Sequence, residues 1–196
     1  MIAAVLIGGQ SARMGRDKLL LELAGQTLID RVLEALSEIF PEVILVGKPR
    51  PGLEARAEIH PDLAPGLGPI SGIYTALRLL RKPVFVCAGD MPFLNAGLIR
   101  YQIRLLKGAD AVVPKPGGRY EPLHAVYAPT CLPAVERLIR TGKKRPVQFF
   151  DRIQLREIRD RELNRLDPER LSFFNINTGG DFKKAEEIIR GRNRKE

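Results

Sequence analysis

Tryptophan is absent from this chain of 196 residues, cysteine occurs twice, and aromatic residues make up only 6% of the whole. Each shortage excludes something. Cys87 and Cys131 are too few and too far apart to suggest a disulfide framework, and Cys87 lies in a strongly apolar stretch, so both read as buried free thiols without a catalytic role. No apolar run reaches the length that spans a bilayer, and the first strand lacks the basic flank and cleavage site of a secretory signal. A cytoplasmic protein that avoids membranes is therefore expected. No internal repeat is visible, and the length fits one domain over 1–196 with a substantial core.

Acidic residues are the minority charge: 23 Asp plus Glu stand against 32 Lys plus Arg, for a net charge of +9. The surface field should attract anions. With few aromatics, and with the cations spread along the chain instead of interleaved with Phe and Tyr, a base-stacking nucleic-acid surface is not expected. A small polyphosphate substrate explains the field as well.

Ile2 to Ile7 form a continuous apolar run suited to a strand buried on both faces, and Gly8-Gly9 stop it. The loop beyond adds Ser11, Arg13, Arg16 and Lys18, the outline of a phosphate cradle. It is neither a Walker loop nor a G-x-G-x-x-G turn, because Gly15 follows Gly9 by six positions and is succeeded by Arg16-Asp17. Further along, Val43 to Val46, Pro83 to Ala88 and Ala111 to Pro114 read as buried strands, with a weak strand at Ala57 to Ile59 and an edge strand at Ile153 to Ile158. Between them the helical spacing predicts helices over 28–40, capped by Thr27, from Pro69 onward, after the cap Asn95, and over 130–140. A last helix carries Phe182, Ala185, Ile188 and Ile189 inward. This alternation of strand and helix implies an α/β sandwich on a mostly parallel sheet.

In such a sheet ligands bind beyond the carboxyl ends of the strands, so Asp90, directly after the strand ending at Ala88, faces the Gly8-Gly9 loop if the two strands are parallel neighbours. Asp90 is then placed for a hard cation. Asp62 reads locally either as a turn residue or as a nucleotide contact. His124, alone in a strand, reads first as a structural hydrogen bonder and second as a proton shuttle. Lys143, Lys144 and Arg145 form either a solvated turn or a phosphate clamp. Asn175 and Asn177 point to one side if extended.

The opening residues Leu6, Gly8, Gly9, Ser11, Arg13, Met14, Gly15, Asp17 and Lys18 match L-x-G-G-x-S-x-R-M-G-x-D-K, and the chain resembles the molybdenum cofactor guanylyltransferases. Four further segments agree in order: Asp62 with Pro65-Gly66 and G-P-x-x-G-I at Gly68 to Ile73; Asp90, Pro92 and Phe93; Pro122-Leu123 with Ala125 and Tyr127; and Asn175, Asn177 and Thr178. Ile70 and Gly89 depart mildly from the family, as does Gly179-Gly180-Asp181-Phe182, which follows the two asparagines. The resemblance implies a three-layer Rossmann-like nucleotidyltransferase fold, nucleotide-binding in its N-terminal part and acceptor-binding in its C-terminal part. It implies transfer of GMP from GTP to the phosphate of Mo-molybdopterin, with release of pyrophosphate and Mg²⁺ on Asp90. In that reading Gly8 and Gly9 hold the β- and γ-phosphates, and Arg13 and Lys18 place charge on the α-phosphate and leaving group. Leu6 and Ile7 lie beside base and ribose, and Asp62 meets the nucleotide. His124 belongs to the acceptor side, where Asn175 and Asn177 meet the pterin or the metal's second face. Protein partners that deliver molybdopterin or mature molybdoenzymes are a further implication. CTP in place of GTP, or cobinamide phosphate in place of the pterin, would leave the same loop unchanged, and an anion- or RNA-binding module is the alternative outside enzymology.

Overall fold

A computed structural model of the chain describes residues 1–8 and 17–193. Its first strand, β1 (Ile2–Leu6), is buried almost throughout, as an unbroken aliphatic run at the centre of a sheet must be. After the short helical turn at Lys18–Leu20, strands β2 (Glu22–Leu23) and β3 (Gln26–Thr27) form a small antiparallel hairpin around Ala24-Gly25. Helix α1 (Leu28–Ser37) starts where the cap was read: Thr27 Oγ1 accepts from the Asp30 amide at 3.2 Å. Strands β4 (Val43–Val46) and β5 (Ile59–His60) follow, the latter beginning two residues later than the sequence suggests.

Helix α2 (Pro69–Leu80) opens on Gly68, whose φ of 67° is open to glycine at little cost. Strand β6 (Val84–Ala88), helix α3 (Ala96–Leu105, capped by Asn95 Oδ1 at 3.0 Å from the Leu98 amide) and strand β7 (Ala111–Pro114) come next. They lead to strand β8 (His124–Tyr127), helix α4 (Leu132–Arg140) and strand β9 (Leu155–Ile158). The chain then forms α5 (Asp160–Leu166) and, last, α6 (Gly179–Asn193). Helix α5 is absent from the sequence reading: it is strongly charged, and Leu163 is its one buried residue, too little to show a helical period.

Among the described residues seven strands make one sheet in the order β5-β4-β1-β6-β8-β7-β9. Every pairing is parallel except those of β8, which runs antiparallel to both β6 and β7. One face packs α2 and α4 through Ala4, Leu6, Ile73, Leu77 and Val135; the other packs α1, α3 and α5 through Val5, Ile29, Val32, Ile99 and Leu163. The result is the three-layer α/β sandwich that the alternation implies. A smaller apolar cluster of Leu23, Leu28, Ile176 and Ala185 ties α6 to the hairpin. That contact brings the C-terminal segment back to the mouth of the sheet.

Candidate active site

Register decides what meets at this edge. Leu6 pairs with Val46 on one side and with Ala88 on the other, so the chain leaves β1, β4 and β6 at one level. The Gly89 amide donates to Leu6 O at 3.0 Å and the Ile7 amide to Val46 O at 2.9 Å, continuing the ladders one step into the loops. A cavity of about 680 Å³ opens there, lined by residues that include Leu6, Ile7, Gly8, Lys18, Arg50, Asp62, Ser71, Asp90, Leu123, Asn175 and Asn177. Its size suits a nucleotide or a similar ligand.

At its floor Lys18 Nζ lies 2.5 Å from Asp90 Oδ2, and it also donates to Ile176 O and to Asn177 Oδ1, each at 3.2 Å. Residues 18, 90 and 177 come from three distant parts of the chain. The Ile176 amide returns a bond to Asp90 O at 3.0 Å, so the C-terminal segment is held to the strand-end loop by backbone as well as side chain. Asp181 closes the start of α6: its Oδ2 accepts from the Asn177 and Thr178 amides at 3.0 and 2.8 Å. These bonds hold its carboxyl below the usual range. The departure at Gly179-Gly180-Asp181 thus supplies its own helix start and leaves the two asparagines in place. Asn175 Nδ2 donates to Phe173 O at 3.1 Å, and its side chain still borders the cavity.

On the α2 side, Ser71 Oγ donates to Asp62 Oδ1 at 3.0 Å, fixing one carboxylate oxygen. Helix α2 approaches β1 so closely that a Cβ on Gly72 would stand 2.7 Å from both Leu6 methyls. Arg50 Nη1 meets Asp17 Oδ2 at 2.9 Å and Arg50 Nη2 donates to Ile7 O. Asp17 Oδ1 accepts from the Leu19 amide at 3.1 Å, capping the turn that carries Lys18.

Leu6, Ile7, Gly8, Lys18, Asp62, Asp90, Asn175 and Asn177 are therefore brought to one cavity. Gly9 and Arg13 lie outside the described residues. His124 does not line the cavity: it is fully buried on the opposite face of the sheet, edge-on to the Phe85 and Phe173 rings. Neither ring nitrogen has a hydrogen-bond partner, and burial pushes its pKa down to about 4. The neighbouring Leu123 borders the site in its place. Lys143, Lys144 and Arg145 are exposed and lie away from the lining. Both cysteines are buried and free; burial raises the Cys87 thiol far above its usual range and the Cys131 thiol to about 12, as expected of unreactive thiols. Sequence reasoning missed Arg50 and Ser71. The one available signal for Arg50 was its position three residues beyond Gly47, at the mouth of the second strand.

The profile of the MobA-like NTP transferase domain matches residues 3–157. The chain belongs to the MobA-like NTP transferase family. Among its MobA-like relatives, a probable molybdenum cofactor guanylyltransferase of Pelotomaculum thermopropionicum is 38% identical over 92% of this chain and 89% of its own. The molybdenum cofactor guanylyltransferase of Desulfosudis oleivorans is 33% identical over 95% and 94%. The crystal structure of molybdopterin-guanine dinucleotide biosynthesis protein A from Archaeoglobus fulgidus superposes with a TM-score of 0.84 at 35% identity, covering 97% of this chain and all of that one. A cytidylyltransferase from Thermus thermophilus shares the MobA-like fold at 17% identity and a TM-score of 0.67. The chain is thus a MobA-like nucleotidyltransferase, and enzymes of this kind generally use a divalent metal. Among the described residues no helix is long and apolar enough to cross a membrane.

Proposed function

We propose that this chain transfers GMP from GTP to the terminal phosphate of molybdopterin and releases pyrophosphate. The observation that carries the reading is the Lys18-Asp90 pair at the parallel ends of β1 and β6, inside a cavity whose other walls supply Gly8, Asp62, Asn175 and Asn177.

The acceptor phosphate oxygen attacks the α-phosphorus of GTP, a new P–O bond forms, and the bond to the bridging oxygen of the β-phosphate breaks in line. No residue becomes covalently attached. The Gly8 amide faces the β- and γ-phosphates. Lys18 presents a compact charge with three donors, and an incoming phosphate oxygen takes the place of one of its present acceptors. Arg13 adds charge at the leaving group. Asp62, held by Ser71, accepts from the guanine or ribose, while Leu6 and Ile7 pack beside the nucleoside. Asn175 and Asn177 face the pterin side.

Among the described residues no three His, Cys, Asp or Glu side chains converge. Asp90 would be the side chain to hold a divalent metal there, with phosphate oxygens and water completing a donor set that fits Mg²⁺. Such a metal would supply charge neutralisation on the phosphate oxygens. Lys18 compensates the Asp90 carboxylate.

The test is pyrophosphate release from GTP, CTP and ATP with Mo-molybdopterin and Mg²⁺, with the pterin product weighed by mass spectrometry. Release from GTP with gain of GMP is expected. Release from CTP alone would transfer the assignment to cytidylyl transfer, and no release from any nucleotide would remove the pterin as acceptor.

A further inference from the structure

Ile7 follows the end of β1 and Asp17 caps the turn at Lys18–Leu20, and one side chain holds both points. Arg50, from the segment after β4, donates through Nη2 to Ile7 O and meets Asp17 through Nη1 at 2.9 Å. Its side chain is 19% exposed and that of Asp17 15%, so the contact is well shielded from water. Asp17 in turn accepts from the Leu19 amide, fixing the turn on which Lys18 projects towards Asp90. We infer that Arg50 is a positioning residue for nucleotidyl transfer: it clasps Ile7, at the end of β1, to Asp17 and, through Asp17, sets the direction of Lys18.

The geometry requires a guanidinium. Two N–H groups of a planar fork reach a carbonyl and a carboxylate at once, whereas an ammonium on a flexible stem does not reproduce that fixed spacing. Bringing two separated points of a chain together has an entropic cost, and a clasp between them bears that cost before substrate arrives. The link also runs from the segment after β4 to the phosphate side, so the two sides of the nucleotide site share one support.

This inference rests on the guanylyltransferase reading, and its test separates the two. Arg50→Lys and Asp17→Asn should each lower kcat about 10- to 100-fold with the melting temperature little changed. The double variant should be no worse than the poorer single one, since both break the same chain of contacts. Guanidinium added to Arg50→Ala should restore part of the activity, and ammonium should not. Additive losses would mean that Arg50 acts on the substrate itself, and an unchanged kcat in Arg50→Lys would mean that the clasp does not matter; either overturns the inference. Hydrogen exchange at the amides of Leu19, Leu20 and Leu21 is read on the same proteins without turnover, and should quicken in both single variants. Unchanged exchange overturns the clasp even if the wild-type protein proves inert with GTP, a result that by itself overturns only the functional reading.

Discussion

Asp90 and Lys18 compensate each other's charge where the strands end. Each is shielded enough for their attraction to matter, and the pair stands where the phosphates of a nucleotide would enter. Asp90→Asn keeps the shape and removes the charge, so turnover should fall about 100-fold or more, as when a principal charge-stabilising group is lost. Steady-state pyrophosphate release checks this, and retained turnover would remove Asp90 as the metal ligand. His124 makes a different prediction, about stability. Its folded pKa of about 4 lies below the ordinary 6.5, so the native state resists the proton that the unfolded chain accepts. Stability from this group is whole above pH 6.5, falls as pH drops through the window, and is lost below about pH 4. The contribution is about 3 kcal/mol, and His124→Leu should flatten the difference between urea midpoints measured at pH 7 and pH 5. An equal acid loss in both proteins would place its source elsewhere.

At the scale of elements, the close approach of α2 to β1 shapes one wall of the cavity. Gly72 sits against the Leu6 methyls, and Leu6 is both core and cavity wall. Gly72→Ala improves helix propensity by up to about 1 kcal/mol but crowds Leu6. The expected outcome is a melting temperature close to that of the wild type and a raised KM for GTP, because Leu6 has the open cavity into which to move. Steady-state kinetics beside thermal unfolding checks the split, and an unchanged KM would show that Leu6 turns elsewhere. Most elements were legible because their signals are local: Thr27 and Asn95 cap with their own side chains, Pro69 opens α2, and β1, β4 and β6 are uninterrupted aliphatic runs. Helix α5 was not, since its polar residues are bound by tertiary partners such as Arg156 and Tyr101, which hold Glu162. The antiparallel course of β8 likewise leaves no mark in four apolar-rich residues.

For the molecule as a whole, the net charge of +9 gives a field that attracts anions. Raising salt from about 0.05 to 0.5 M shortens the screening length from over 10 Å to roughly 4 Å. The KM for GTP should rise several-fold while kcat changes little, as the field acts on encounter more than on the bound complex. A KM indifferent to salt would assign the charge another purpose. The architecture supports the same view: β1, β4 and β6 end together, and α6 packs on the hairpin so that Asn175 and Asn177 close the fourth side.

The amino-acid sequence by itself determined the layered α/β fold and singled out Lys18, Asp62, Asp90, Asn175 and Asn177, which line one cavity, because strand-end position and motif order are properties of the chain. Tertiary structure alone decided which groups touch. Lys18 meets Asp90 and Asn177, Ser71 turns Asp62, Arg50 spans Ile7 and Asp17, and His124 faces away from the cavity. Contacts of this kind join residues that register and helix packing bring together across long stretches of chain, and the face that a β-strand side chain occupies depends on its pairing. For His124 that pairing, opposite Cys87 of β6, placed the imidazole among aromatic rings on the far side of the sheet.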